Sequence, residues 1–174
     1  MREGAGDPEL YDYAPYRGRA QAQGIARHVW LQNAAGEEAA LRYRVGETYD
    51  RAAMQRITHL LRDLRAREDG PQAPLLVDML SVLQEGWDYA RPIRVMSGYR
   101  TARTNQAAEG AAPASLHLVG WAADIQVPGL PLEFIAAAAW RLSNTVGRLG
   151  VGLYASFVHL DIGPRRLWTR LPAG

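Results

Sequence analysis

The chain has 174 residues, 48% hydrophobic and 22% charged, which is the composition of a folded domain with a real core rather than of a disordered tail. Its basic residues are all arginine, 20 against 18 acidic residues; the net charge of +2 is small and the arginines are spread along the chain, which argues against nucleic acid as a partner. Cysteine is absent, which excludes disulfides and thiolate metal ligands, and no apolar run is long enough to span a bilayer.

Residues 1–24 are rich in Gly, Pro, Tyr and charge without periodicity, and read as an amino-terminal arm or linker ahead of a single domain over 25–174. The first residues lack the apolar stretch of a signal peptide. Ile25–Gln32 and Glu38–Val45 are extended segments around a turn at Asn33–Gly36. His28 lies in the first of them with no ligand partner nearby in sequence, and reads as structural. Asp50 can cap a helix running from Arg51 to about Arg67, with Met54, Ile57, Leu60, Leu61 and Leu64 on one apolar stripe and His59 beside it. Gly70–Pro71 closes that region, and Pro74 opens a second helix to about Tyr89, with Leu76, Met79, Leu80, Leu83 and Trp87 facing inward.

Pro92–Met96 is a short strand that delivers Ser97–Gly98–Tyr99–Arg100 at its end. A short helix is expected over Thr101–Glu109, a connection over Gly110–Ala114, and a strand over Trp121–Val127. Pro131 starts an alanine-rich helix to about Leu142, Gly147–Gly152 reads as a glycine-spaced turn, and Val151–Tyr154 with Phe157–Ile162 form a last hairpin. Helices and strands mix without a regular βαβ alternation, so the class is α+β: a small mixed sheet, largely antiparallel, with helices packed on it.

The chemistry concentrates in two stretches. Ser115–Asp124 places His117 and Asp124 seven residues apart, and both side chain types are zinc ligands. Residues an odd number apart face opposite sides of a plain strand, so the chain must bend for the two to meet, and Gly120 is where a bend is cheapest. Phe157–Asp161 alternates, with Val158 and Leu160 toward a core and Phe157, His159 and Asp161 toward something polar. Two histidines, one carboxylate and an open position have the composition of a catalytic zinc site, although taken singly either histidine reads as an ordinary hydrogen-bonded one.

Ser115, His117, Gly120, Ala122 and Asp124 match the S-x-H-x-x-G-x-A-x-D signature of the LAS zinc peptidases, which include D-alanyl-D-alanine carboxypeptidases, vancomycin-resistance dipeptidases and murein endopeptidases. Ser97–Arg100 with Asn105 resembles that group's S-G-Y-R-x-P-x-x-N segment, with Ala102 where many relatives have proline. The order of elements and Gly163–Trp168 are most similar to the YcbK-like murein endopeptidases, and the likeness runs from about Ala26 to Trp168. The resemblance implies a hedgehog/D,D-peptidase-like fold and a zinc ion held by His117, Asp124 and His159. It also implies a cell-envelope or periplasmic enzyme that hydrolyses the stem-peptide cross-links of peptidoglycan. Arg100 is then the cation that stabilises the tetrahedral intermediate, the alternative being an ion pair with Asp161. Ser97 and Ser115 hold loops. Relatives carry a glutamate or histidine base shortly before the last histidine ligand; here Ser156 and Phe157 stand there, leaving Asp161 as the candidate base, or as a residue that orients a histidine ligand. The rival expectations are a D,D-carboxypeptidase or dipeptidase, and a metal-stabilised peptidoglycan-binding module without turnover.

Overall fold

The structure is a computed structural model describing residues 24–108 and 112–171. The arm expected over 1–24 lies, except for Gly24, outside the described residues, and so does Glu109, where the short helix was expected to end. Strands β1 (Ala26–Asn33) and β2 (Glu38–Val45) form the first hairpin, followed by the two-residue β3 (Thr48–Tyr49). The side-chain oxygen of Asn33 accepts the N–H groups of Ala35 and Glu37, each at 3.0 Å, and so builds the turn locally.

Helix α1 (Arg51–Leu60) starts where expected, because Asp50 accepts the Ala53 N–H at 2.8 Å. It ends well before Arg67. The Asp63 carboxylate accepts the N–H groups of Arg65 and Ala66, and Asp63 bridges to Glu68. That offers the backbone an alternative to further helical turns, and Arg67 takes a positive φ of 56°. Helix α2 (Pro74–Glu85) opens at its proline but stops at Gly86 rather than near Tyr89, because Asp88 and Tyr89 both sit at positive φ. Strand β4 (Ile93–Ser97) and the short α3 (Ala102–Ala107) follow. A 3-10 turn (Leu116–Val119) leads into β5 (Ala122–Gln126). Helix α4 (Leu132–Val146) outlasts the expected end at Leu142, since a terminator comes only at Gly147, in the left-handed region at φ 72°. Strands β6 (Gly150–Tyr154), β7 (Val158–Asp161) and β8 (Arg166–Arg170) complete the described chain.

The α+β class holds. One open eight-stranded sheet runs β3-β2-β1-β4-β5-β7-β6-β8, antiparallel except for the β1–β4 and β6–β8 pairs. Two features were not foreseen. The expected turn over Gly147–Gly152 gives way at Gly150, where β6 begins, so two of its glycines are strand residues. Strand β8 was not anticipated, because its residues are nearly all exposed and carry no apolar alternation.

Register sorts the two faces. Residues paired across neighbouring strands point the same way. Val95, Ile125, Val158 and Leu153 form one set, and Ala123, Leu160 and Val151 form another. Both belong to the apolar core, most of them fully buried, and each buried Val, Leu or Ile contributes roughly 1.5–3 kcal/mol. Helix α4 packs on β6 and β7, while α1 and α2 pack on β1. The row between those sets faces the other way: Ser97, Asp124, His159, Gly152 and Trp168, one from each of β4, β5, β7, β6 and β8.

Candidate metal centre

That polar row is the floor of a cleft of about 650 Å³. His117 joins it from the 3-10 turn. The Ser115 hydroxyl accepts the His117 N–H at 3.4 Å, and Gly120 closes the turn at φ 67°. The bend expected at Gly120 is therefore present, and a Cβ there would collide with the Pro71 carbonyl. The turn swings His117 over β5 so that it meets Asp124, although the two could not have shared a face on an uninterrupted strand.

Each imidazole is aimed by a fixed partner. His117 Nδ1 lies 2.6 Å from the Gly98 carbonyl, which can only accept, so Nδ1 carries the proton and Nε2 offers a lone pair. His159 Nε2 lies 3.0 Å from Asp161 Oδ2, which leaves Nδ1 toward the cleft. His117 Nε2, His159 Nδ1 and Asp124 Oδ1 then converge: 3.3 Å between the two nitrogens, and 3.2 and 2.9 Å from them to the oxygen. Ligands about 2.0–2.1 Å from a tetrahedral ion are about 3.3–3.4 Å apart, so these three atoms are close to one face of such a tetrahedron. His117 and Asp124 are buried and His159 nearly so, and the three can hold a metal ion.

The electrostatics match. Burial pushes the Asp124 pKa up, but hydrogen bonds with His117 and His159 more than reverse this and hold it well below the usual carboxylate range. Burial pushes the His159 pKa down, and the carboxylates of Asp124 and Asp161 together raise it above its ordinary value.

Arg100 reaches this group, but not through Asp161. Its Nη2 pairs with Asp124 Oδ2, its Nε donates to Ser97 Oγ at 2.8 Å, and its backbone N–H donates to the His117 carbonyl at 3.0 Å. The expected alternative partner, Asp161, instead takes Arg166 Nη2 at 2.7 Å on Oδ2 and the Gly163 N–H at 2.9 Å on Oδ1. Asp161 is fully buried, with both oxygens turned to these groups and to His159. His28 is exposed, and His59 pairs with Asp69 at 3.0 Å; neither joins the centre.

Sequence reasoning missed Arg166, Trp168 and the two glycines of β6. Gly150 lies in the row that runs Ala122, Asp161, Gly150, Arg166, and Gly152 in the row that runs Asp124, His159, Gly152, Trp168. A Cβ on Gly150 would collide with the Asp161 carboxylate, and one on Gly152 would stand 2.5 Å from the Trp168 indole. Two gaps in β6 thus let side chains of β8 reach across it to β7. The Gly-x-Gly spacing was visible in the sequence, but glycines in a strand read as a turn.

The chain is similar to known proteins. The family model described as peptidoglycan L,D-endopeptidase MepK matches residues 21–168. Peptidoglycan L,D-endopeptidase MepK of Escherichia coli (strain K12) is 35% identical over 139 residues, covering 76% of this chain and 74% of the relative. Probable peptidoglycan L,D-endopeptidase MepK of Haemophilus influenzae is 30% identical over 140 residues, covering 76% and 73%. No solved structure is a significant match. With its ligand-like triad on a cleft floor and this extent of similarity, the chain belongs to the peptidoglycan L,D-endopeptidase MepK family of peptidases.

Proposed function

We propose that the protein is a zinc peptidase of the bacterial cell envelope that cleaves L,D peptide bonds in the cross-links of peptidoglycan, with His117, Asp124 and His159 as the metal ligands. The observation that carries this is the near-tetrahedral spacing of three ligand atoms on the cleft floor of a chain from this peptidase family. Two imidazoles and one carboxylate are the ligand composition of hydrolytic zinc sites, and all three side chains line the cleft. Zinc bound there would supply Lewis acidity and a water whose pKa is brought to about 7.

The chain's own residues have separate tasks in this proposal. The Gly98 carbonyl fixes His117 as the tautomer that presents Nε2, and Asp161 fixes His159 as the one that presents Nδ1. Arg166 and the Gly163 N–H hold the Asp161 carboxylate in place. This geometry favours an orienting role for Asp161 over a basic one, since both oxygens already accept hydrogen bonds. Arg100 anchors Asp124 through Nη2 and lines the same cleft, and its remaining guanidinium donors are suited to the negative charge that would develop on the scissile carbonyl oxygen. No helix of the described residues is long and apolar enough to cross a membrane. The periplasm is the proposed location, since that is where the substrate would be met.

Digestion of purified sacculi with zinc-loaded protein, followed by muropeptide analysis, tests the assignment. L,D-cross-linked dimers should disappear and the corresponding monomers accumulate. Release of terminal D-alanine alone would indicate a carboxypeptidase instead, and binding without any release would indicate a module without turnover.

A further inference from the structure

The hairpin wall beside His159 carries a donor that the metal centre does not use. Tyr154 lies on β6 two residues beyond Gly152, so it points to the same face as the ligand row, and it lines the same cleft as His117, Asp124 and His159. Its ring is held from two sides. Phe157 stacks on it, with ring centroids 4.5 Å apart and planes 18° from parallel. Trp168 crosses over Gly152 to lie 5.4 Å from the His159 ring, and its Nε1 donates to the Tyr154 hydroxyl oxygen at 3.1 Å.

An indole N–H can only donate, so the phenol oxygen accepts there and its own proton is directed elsewhere. Among the described residues no acceptor takes that proton. The side chain is half-buried, and its ring is held by Phe157 and Trp168. This is a donor whose ordering cost is met before any ligand arrives. The order of strands also places it usefully. Arg100 and Ser97 stand at the β4 side of the ligands, and Tyr154 and Trp168 at the β6–β8 side, so a peptide laid across the metal ligands meets a guanidinium on one flank and a phenol on the other.

We propose that Tyr154 contacts the substrate, donating its hydroxyl proton to a carbonyl or carboxylate oxygen of the cross-linked peptide, and that Trp168 is the positioning residue that aims it. The inference rests on the proposed peptidoglycan specificity, and its test does not need turnover.

The probe is a purified L,D-cross-linked muropeptide dimer, titrated calorimetrically into metal-free protein. Tyr154→Phe keeps the ring and its stacking and removes only the hydroxyl. It should bind the dimer about 10-fold more weakly, and kcat/KM of the zinc-loaded enzyme should fall by a similar factor, while zinc affinity and thermal midpoint stay at wild-type values. Trp168→Phe, which removes the aiming N–H, should weaken the dimer in the same direction and add little when combined with Tyr154→Phe. Equal dimer affinity for wild type and Tyr154→Phe overturns the proposal, as does failure of the wild type to bind the dimer. A wild type that binds the dimer but does not cleave it overturns the peptidase assignment and leaves the Tyr154 comparison intact.

Discussion

Asp161→Asn separates orientation from proton transfer at the candidate metal centre. In the wild type Oδ2 faces His159 Nε2 at 3.0 Å and Arg166 Nη2 at 2.7 Å, while Oδ1 faces the Gly163 N–H at 2.9 Å, so every neighbour is a donor. A carboxamide has one accepting end. If its oxygen turns toward His159 and Arg166, its NH2 group opposes the Gly163 N–H; if it flips, the NH2 group opposes His159 and Arg166. Either way a buried donor faces a donor, at about 1–3 kcal/mol. The imidazole also loses the charge that fixes its tautomer, and metal affinity should fall roughly 10–100-fold, or about 1.4–2.7 kcal/mol. Chelator competition measures that affinity, a thermal melt of the metal-free protein measures the folding cost, and single-turnover cleavage at saturating zinc measures the chemistry. Wild-type zinc affinity in Asp161→Asn, with cleavage reduced by roughly 10²–10⁴, would refute the orienting role and return the residue to general base catalysis.

Other outcomes follow from the same geometry. Elemental analysis of protein prepared without chelator should find near-stoichiometric metal, His159→Ala should lose most of it, and full retention in that variant would remove His159 from the candidate ligand set. Arg100→Ala should lower turnover roughly 10²–10³-fold with metal kept, and lysine should restore little because it lacks the planar fork; wild-type turnover would reject its role. In the metal-free protein the raised His159 pKa favours folding below its unfolded value near 6.5, and this contribution is lost as pH rises through the higher folded value. The metal needs Nδ1 deprotonated, so zinc affinity should decline as pH falls through that same raised pKa, and zinc uptake below it should release a proton detectable in weakly buffered solution. Burial pushes the Asp63 pKa up, but hydrogen bonds from Thr104, Ala66 and Thr101 bring it to about 2. Its contribution to stability is present above the unfolded value of about 3.9 and lost as pH falls toward 2, and Asp63→Asn should flatten acid unfolding in that window.

The fold class and the three converging candidate ligands were legible because they rest on local signals: alternation in Phe157–Asp161, a glycine between His117 and Asp124, a cap at Asp50 and a helix-opening proline at Pro74. What failed to show depended on neighbours distant in sequence. Asp63 ends α1 through side-chain bonds to its own loop, which competes with a helical pattern that the apolar stripe alone favours. Strand β8 exists because β6 offers it a partner, and its exposed residues leave no hydrophobic imprint. Arg166 resembled one more surface arginine until register put it opposite Gly150, where the missing side chain makes room for its bond to Asp161. The partner of Arg100 was likewise a matter of which strand lies beside β4, and that strand carries Asp124.

Among the described residues the sheet ends in two edge strands, β3 and β8, and they face opposite demands. An open edge invites another strand, in the worst case a second copy of itself, which is a route to aggregation. At β3 the problem is met by brevity, since two residues give little to pair with. Strand β8 cannot be shortened or bulged in the same way. A one-residue slip would turn Arg166 and Trp168 to the other face and pull both from the cleft. Charge is the remaining protection, and its placement suits the purpose. In an antiparallel pairing of two β8 strands centred on Trp168, each Arg166 would stand opposite an Arg170, so the contact most favoured by backbone geometry would set like charges against each other at both ends.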